Sequence, residues 1–473
     1  MCNPSLLTEY LIPSVRKFIQ KPFLWPIAIL FFPSIACSKP YFQPQVATQS
    51  FSYLFIDKNL QNIYRETPQG IYMYKEPVVK NDSAKAEFFV APEEIPIFRN
   101  MFSYLQEEEI LKVYLTKSDK KIEEILPLGP SYKVVPKLPK VSQATKPLEH
   151  LRIAIDPGHI AGTWKESVLE DRYVSIRVGR GKKSKKIRFY ESELAYDTAR
   201  ILRDYLKRDG ATVFITKKAK GITAFGLSFA EWKKKRKLQA LESEFAKGNI
   251  TAAEKEHLAN KAKDRELFHK FFRTFELNER SRLINAFHPH ATVVIHYNIE
   301  PDHIFLRTRG SSIGISKNNY SMSFVPGGFE EGSMQEPENR LNLLRLLLTD
   351  DLQDSLEFCS FVQKSFETIL KVPHIPSHGK PGYLRDTSVE TTVPGVYSRN
   401  LRLTRKVYGP ICYGESLYQN NVQEYQDLSR KDYRYRGKKI PKRIQQNAYA
   451  YYQGIRKYFQ KKRKIHSSDK KKN

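Results

Sequence analysis

The chain has 473 residues, more than one average domain, and its 79 Lys and Arg against 51 Asp and Glu give a net charge of +28. Such an excess implies attraction to a polyanion. No recognised nucleic-acid motif is present, and the aromatics do not interleave with the basic runs as a base-stacking surface requires, so no nucleic-acid partner is expected.

Residues 1–37 read as a signal peptide. Arg16, Lys17 and Lys21 precede the apolar run Phe23–Phe32, which is too short to span a membrane comfortably and carries Pro26. Ser34 and Ala36 suit a general signal peptidase. Cys37 after a small residue instead resembles a lipoprotein cleavage site, with Ser34 in place of the usual leucine. The expectation is export to the periplasm or cell envelope, with a lipid anchor at Cys37 as the membrane contact. Cys2 leaves with the signal. Cys359 and Cys412 remain as a disulfide or as buried thiols, and spacing does not choose between them.

Residues 38–131 alternate strand-like pieces (Phe51–Ile56, Gly70–Tyr74, Ala86–Val90) with turns, followed by a helix-like piece, Ile97–Leu111. They predict a small α+β or mostly β module of unknown function. Residues 132–149, with Pro136, Pro139 and Pro147, predict a stiff linker.

At 152–159 an apolar run ends in Asp156-Pro157-Gly158, so the chain leaves a buried strand through a tight turn that delivers His159. Residues 164–189 form an insertion whose basic turn, 180–186, joins two strands over this region. Then Leu194, Thr198, Ile201, Leu202 and Tyr205 recur at helical spacing, which places Glu191 at a helix start. Residues 229–275 form a second insertion, strongly helix-forming around a Gly248-Asn249 break. They predict a helical hairpin with a solvated face, or a dock for a regulatory protein. A second apolar run, Thr292–Val294, continues into Ile295-His296-Tyr297-Asn298. Two His at the carboxyl ends of two buried strands can meet in one crevice. With a carboxylate added, and a fourth position open, they make a catalytic zinc set. Glu191 is the first candidate, and Glu193, Glu166 and Glu170 are its rivals. His288 and His290, on the loop before the second strand, read as solvent-facing, while His374 and His378 fall in a Pro- and Gly-rich loop that could line a groove. The charged tail 461–473 predicts disorder.

Taken in order, these segments resemble the zinc-dependent N-acetylmuramoyl-L-alanine amidases that cleave bacterial cell walls. Ile153 to His159 matches the family's opening strand, and Glu191 with Ala199 matches its second ligand and following helix. Leu277, Arg280 and Asn285 match the helix before its second His, and Val294–Asn298 its Ser-Ile-His-Ala-Asn. Gly395–Leu401 resembles the approach to the last core strand, Pro410–Glu415, and Ile444–Tyr458 the closing helix. The loop after His159, the segment after Glu415, and Thr216-Lys217 in place of Thr-Arg depart from the pattern.

The resemblance implies a catalytic domain over 150–460, an α/β fold with a central mixed, mostly parallel sheet flanked by helices. It implies Zn2+ held by His159, Glu191 and His296, and Glu415 as the catalytic proton carrier. The substrate would be peptidoglycan, cut between N-acetylmuramic acid and L-alanine, with Asn298 and Arg399 as candidate substrate-binding residues. A salt bridge to Arg399 or Arg402 is the plain alternative for Glu415. A non-catalytic envelope-binding protein and a zinc peptidase on another amide are the alternatives for the whole chain.

Overall fold

The computed structural model describes residues 52–79, 85–117, 122, 145–178, 185–300, 314–377 and 380–469. The expected signal peptide with Cys37, most of the linker, the tip of the basic turn and His378 lie outside these residues.

In the N-terminal module β1 (Tyr64–Thr67), β2 (Gly70–Met73) and β3 (Phe88–Val90) pair antiparallel, followed by α1 (Ile95–Tyr104) and α2 (Glu107–Lys117). Only two of the three expected strands form. Residues 52–56 are a turn in which Phe55 makes a single bridge to Phe329. The module has no separate core: Phe88, Phe98 and Phe102 belong to the same buried cluster as the main sheet, and Arg340 grips Glu87 through two hydrogen bonds of 2.7 and 2.8 Å.

The rest follows in chain order: β4 (Arg152–Pro157), α3 (Trp164–Leu169), β5 (Tyr173–Val178), β6 (Lys185–Tyr190), α4 (Glu191–Arg208), β7 (Thr212–Ile215), α5 (Phe229–Lys235), α6 (Lys237–Ala246), α7 (Ala252–Asn260) and α8 (Asp264–Leu267). A π-helical turn, Phe268–Phe272, leads into α9 (Arg273–Phe287) and β8 (Ala291–Asn298). Then come β9 (Met322–Val325), α10 (Pro337–Leu348), α11 (Asp351–Ser365), α12 (Gly382–Thr387), β10 (Val389–Glu390), β11 (Val396–Ser398), α13 (Arg402–Lys406) and β12 (Ile411–Tyr418). The chain closes with α14 (Glu424–Ser429), the hairpin β13 (Tyr433–Tyr435) and β14 (Lys438–Ile440), and α15 (Lys442–Asp469).

The central sheet has seven strands in the order β10-β11-β9-β12-β8-β4-β7. All neighbours are parallel except β10 with β11 and β12 with β9, which is the expected mixed, mostly parallel sheet. Strands covered on both faces read as continuous apolar runs because neither side meets water. Alternation then sorts the side chains. Ile153, Ile155, Val293 and Ile295 face α4, α11 and α15 in the main core, while Ala154, Val294 and Ile411 face Ile284 of α9 and Leu403 of α13.

Three expectations change. The second insertion is not a bare hairpin: α5 to α8 and the π-turn enclose a core of Phe229, Trp232, Leu241, Leu258, Phe268 and Phe272, closed by Ile160 from the loop after β4. Its aromatic content, diluted among lysines and glutamates in the sequence, becomes one face once folded. The linker's end is packed rather than free, with Leu148 fully buried. The tail is helical to Asp469 because its cations find partners: Lys461 pairs with Glu357 at 2.6 Å, Lys462 with Asp354 at 2.5 Å, and Arg463 donates to the carbonyls of Pro147 and Glu149. Cys359 and Cys412 are buried free thiols.

Deleting residues 461–473 removes those pairs and both Arg463 hydrogen bonds, so we expect a loss of about 1–2 kcal/mol in denaturant unfolding. An unchanged midpoint would show that the tail contributes nothing to the fold.

Candidate metal centre and catalytic carboxylate

Parallel pairing of β4 with β8 brings Pro157 level with Ile295, so the two strands end side by side. His159 lies just past the end of β4 and His296 near the end of β8. Gly158 lets them meet: its N–H donates to the Ile295 carbonyl at 2.9 Å, and a Cβ there would lie 2.4 Å from His296 Cε1. The imidazole of His296 occupies the space a side chain would need. The two rings stand edge to face, 4.8 Å apart between centroids.

Glu191, the first residue of α4, is buried between them. One carboxylate oxygen is 3.0 Å from His159 Nε2, and the other is 2.8 Å from His296 Nδ1 and accepts the Tyr297 N–H at 3.1 Å. Of the four acids weighed from the sequence, Glu191 alone touches both rings. Glu193 pairs with Lys220, and Glu166 caps α3 with the amides of Gly162 and Thr163. Burial alone would raise the Glu191 pKa, but the two imidazoles hold it well below the usual range. Burial also works against charge on both histidines. In His159 the Glu191 and Glu170 carboxylates outweigh it and raise the pKa, whereas His296 ends below its ordinary value.

Glu170 has another task. It accepts from His159 Nδ1 at 3.1 Å and from the amides of Ile160 and Ala161, and despite burial these donors hold its pKa down to about 2. A carboxylate behind the far nitrogen fixes the tautomer and turns Nε2 inward. The helical insertion supports this loop. His269 Nε2 donates to the Leu169 carbonyl at 3.0 Å, Arg265 pairs with Asp171, and Ile160 is part of the insertion's core.

His159 sits in the left-handed region at φ 57°, a conformation uncommon for a non-glycine residue. Its carbonyl is gripped from below by Lys217 Nζ and by Arg280 at 3.2 Å, and Arg280 also binds Asp156 and Glu276. Burial, then the Arg280 charge, push the Lys217 pKa down to about 7. Sequence reasoning met Arg280 only as a family match and Lys217 only as a departure. A basic residue next to an apolar strand was the available signal, but what it grips was not legible.

Glu415 lies on β12 directly beside His296 in the β12–β8 register. It forms no ion pair among the described residues, and its buried Oε2 has no hydrogen-bond partner. Arg402 donates to Asn278 instead, so the salt-bridge alternative does not form. Burial and the nearby Glu191 charge raise the Glu415 pKa well above the usual range, against the pull of Arg172 and Arg399. Tyr413, two residues earlier, stacks on His296 at 4.5 Å.

A cavity of about 310 Å³ opens beside the two histidines, lined by Arg172, Phe268, Phe272, Arg273, Leu401 and Tyr413 among others. Of the candidate substrate residues, Asn298 has both ends of its amide engaged, with Tyr383 Oη and the Ile299 N–H. The Arg399 guanidinium lies over the rings of Phe324 and Tyr383 and makes no hydrogen bond or ion pair among the described residues. His290 accepts the Arg152 N–H, His288 ends α9, and His374 pairs with Glu367, so none reaches the cluster.

His159, Glu191 and His296 offer ligand atoms within 4.8 Å of one another. Two imidazoles and one carboxylate are the donor set of a catalytic zinc site with an open position, and the convergence of both rings on a buried carboxylate fits a cation there. The cluster thus sits at the ends of β4 and β8, with Glu415, free of ion pairs among the described residues, alongside. The family model described as N-acetylmuramoyl-L-alanine amidase matches residues 153–446, more than half of the chain. The chain belongs to this family and is by that membership a hydrolase of the amide joining N-acetylmuramic acid to L-alanine.

Similar solved structures include the apo amidase Ami1 of Mycobacterium abscessus, at 14% identity and a TM-score of 0.33, covering 66% of this chain and 99% of that one. They also include the CwlD amidase of Clostridioides difficile in complex with the GerS lipoprotein, at 15% and 0.33, covering 66% and 99%. The catalytic domain of CwlV from Bacillus (Paenibacillus) polymyxa var. colistinus stands at 15% and 0.32, covering 66% and 98%. The family assignment rests on the sequence match and not on these likenesses. No curated protein matches the chain.

Gly158→Ala should displace the His296 ring and lower affinity for a divalent metal by about tenfold or more, measured by competition with a chromophoric chelator. Retained affinity would mean that His296 does not need its observed position.

Proposed function

We propose that the chain is a zinc-dependent N-acetylmuramoyl-L-alanine amidase acting on peptidoglycan, with His159, Glu191 and His296 as metal ligands and Glu415 as proton carrier. The observation that carries this reading is Glu415, on the strand next to His296, whose buried Oε2 has no hydrogen-bond partner among the described residues. Zinc bound there would supply an acidified water and a positive charge at the carbonyl to be cut.

The residues divide the remaining work. Glu415 takes a proton from the attacking water on a carboxylate oxygen and returns it to the departing L-alanine nitrogen. A raised pKa suits a group that must both accept and release. Glu170 holds His159 through Nδ1, and Tyr413 backs the ring of His296. Arg399, its donors unspent, binds the substrate beside Glu415, while Asn298 fixes the Tyr383 hydroxyl at the rim. Leu238 and Phe245, both exposed and on one face of α6, suit a regulatory partner at the insertion. Export with lipid attachment at Cys37 would bring the enzyme to its substrate; labelling with a radioactive fatty acid, absent in Cys37→Ser, tests the anchor.

Incubating the purified protein with isolated sacculi should release stem peptides that begin at a free L-alanine amine, identified by mass, and a chelator should stop the release. Products cut elsewhere would assign the site to another amide. Glu415→Gln should lower turnover by a factor of at least about 100 while leaving one zinc bound; a variant that loses its metal would contradict the role given to Glu415. Glu170→Gln should weaken zinc binding by about 10–100-fold, read by chelator competition.

A further inference from the structure

Residues 430–443 hold eight Lys and Arg and a single acid, Asp432. Part of that charge is neutralised internally. Arg430 pairs with Asp427 and Arg443 with Glu424, while Asp432 accepts the Lys442 N–H at the start of α15. Lys431, Arg434, Lys438, Lys439 and Lys442 are exposed, and none pairs with a carboxylate among the described residues.

Four of the segment's residues fix how it is displayed. β13 and β14 form a two-stranded hairpin closed by Arg436-Gly437, both at positive φ (46° and 79°), the geometry of a tight two-residue turn. Arginine is an uncommon first residue for such a turn, and here its guanidinium is held by Asp204 of α4 at 3.0 Å. Tyr435 donates to the same carboxylate at 2.6 Å, and Ile440 is buried, so the inner face of the hairpin is pinned to α4. Alternation turns Arg434 and Lys439 outward, and the register puts them directly opposite each other. Like charges facing across an isolated pair of strands destabilise it, and a lone two-stranded hairpin has little stability to lose. An arrangement that works against its own element points to a ligand that neutralises it.

We propose that the outer face of this hairpin docks the protein on the anionic headgroups of a membrane surface. The face is exposed and lysine- and arginine-rich, and it lacks the stacking rings on which a single-stranded nucleic acid is held. Tyr433 and Tyr435 are packed inward and cannot stack bases. Along α4 from Glu191 to Asp204 the helix rises roughly 20 Å, so docking would leave the metal cluster clear.

The test uses the full chain with sedimented vesicles of phosphatidylcholine alone or mixed with phosphatidylglycerol. Added affinity for the anionic vesicles is expected at low salt and should disappear in high salt. Each cation near an anionic surface is worth a factor of about five, so the double variant Arg434→Gln, Lys439→Gln should bind anionic vesicles about 25-fold more weakly. Its binding to phosphatidylcholine alone, which reads any apolar contribution, and its hydrolysis of a soluble muropeptide should not change. Equal binding by variant and parent would overturn the proposal. So would a parent that binds inorganic polyphosphate but gains nothing from phosphatidylglycerol, since that outcome assigns the face to a polymer.

Discussion

One buried carboxylate organises the centre of this molecule. Glu191 lies between two imidazoles that arrive from different strands, and each of its oxygens meets one ring. A charged group so deeply placed is unfavourable unless its neighbours compensate, and the surrounding network does so in layers. Glu170 steadies one ring, Gly158 makes room for the other, and Lys217 with Arg280 grips the strained turn beneath. The helical insertion then braces the loop that carries Glu170.

Much of this was legible in the sequence, for physical reasons. Strands covered on both faces must be apolar throughout, so Ile153–Ile155 and Thr292–Ile295 announce themselves, and a His at the end of each run falls where such sheets open. Helical periodicity placed Glu191 at the head of α4. Glu415 was found by family pattern, since nothing in a lone glutamate after an apolar strand reveals whether it will be paired.

Other features were hidden for equally physical reasons. The choice among Glu166, Glu170, Glu191 and Glu193 depends on where a loop of some thirty residues folds back, which spacing does not encode. Composition misjudged the tail because a run of lysines is solvated only when no acids wait on a neighbouring helix, and Asp354 and Glu357 wait on α11. The insertion's core is hidden because its charges outnumber its aromatics along the chain, although Trp232 and four phenylalanines gather on one side.

The β12–β8 register has a wider consequence. Glu415 and His296 face each other across one rung of the β12–β8 ladder, so the spacing between these two side chains is set by the backbone, not by any loop. Surface loops can lengthen, shorten or be replaced without retuning that interval. For protein engineers the fold is therefore a chassis, in which the surrounding loops can be redrawn while the spacing of Glu415 and His296 stays as built.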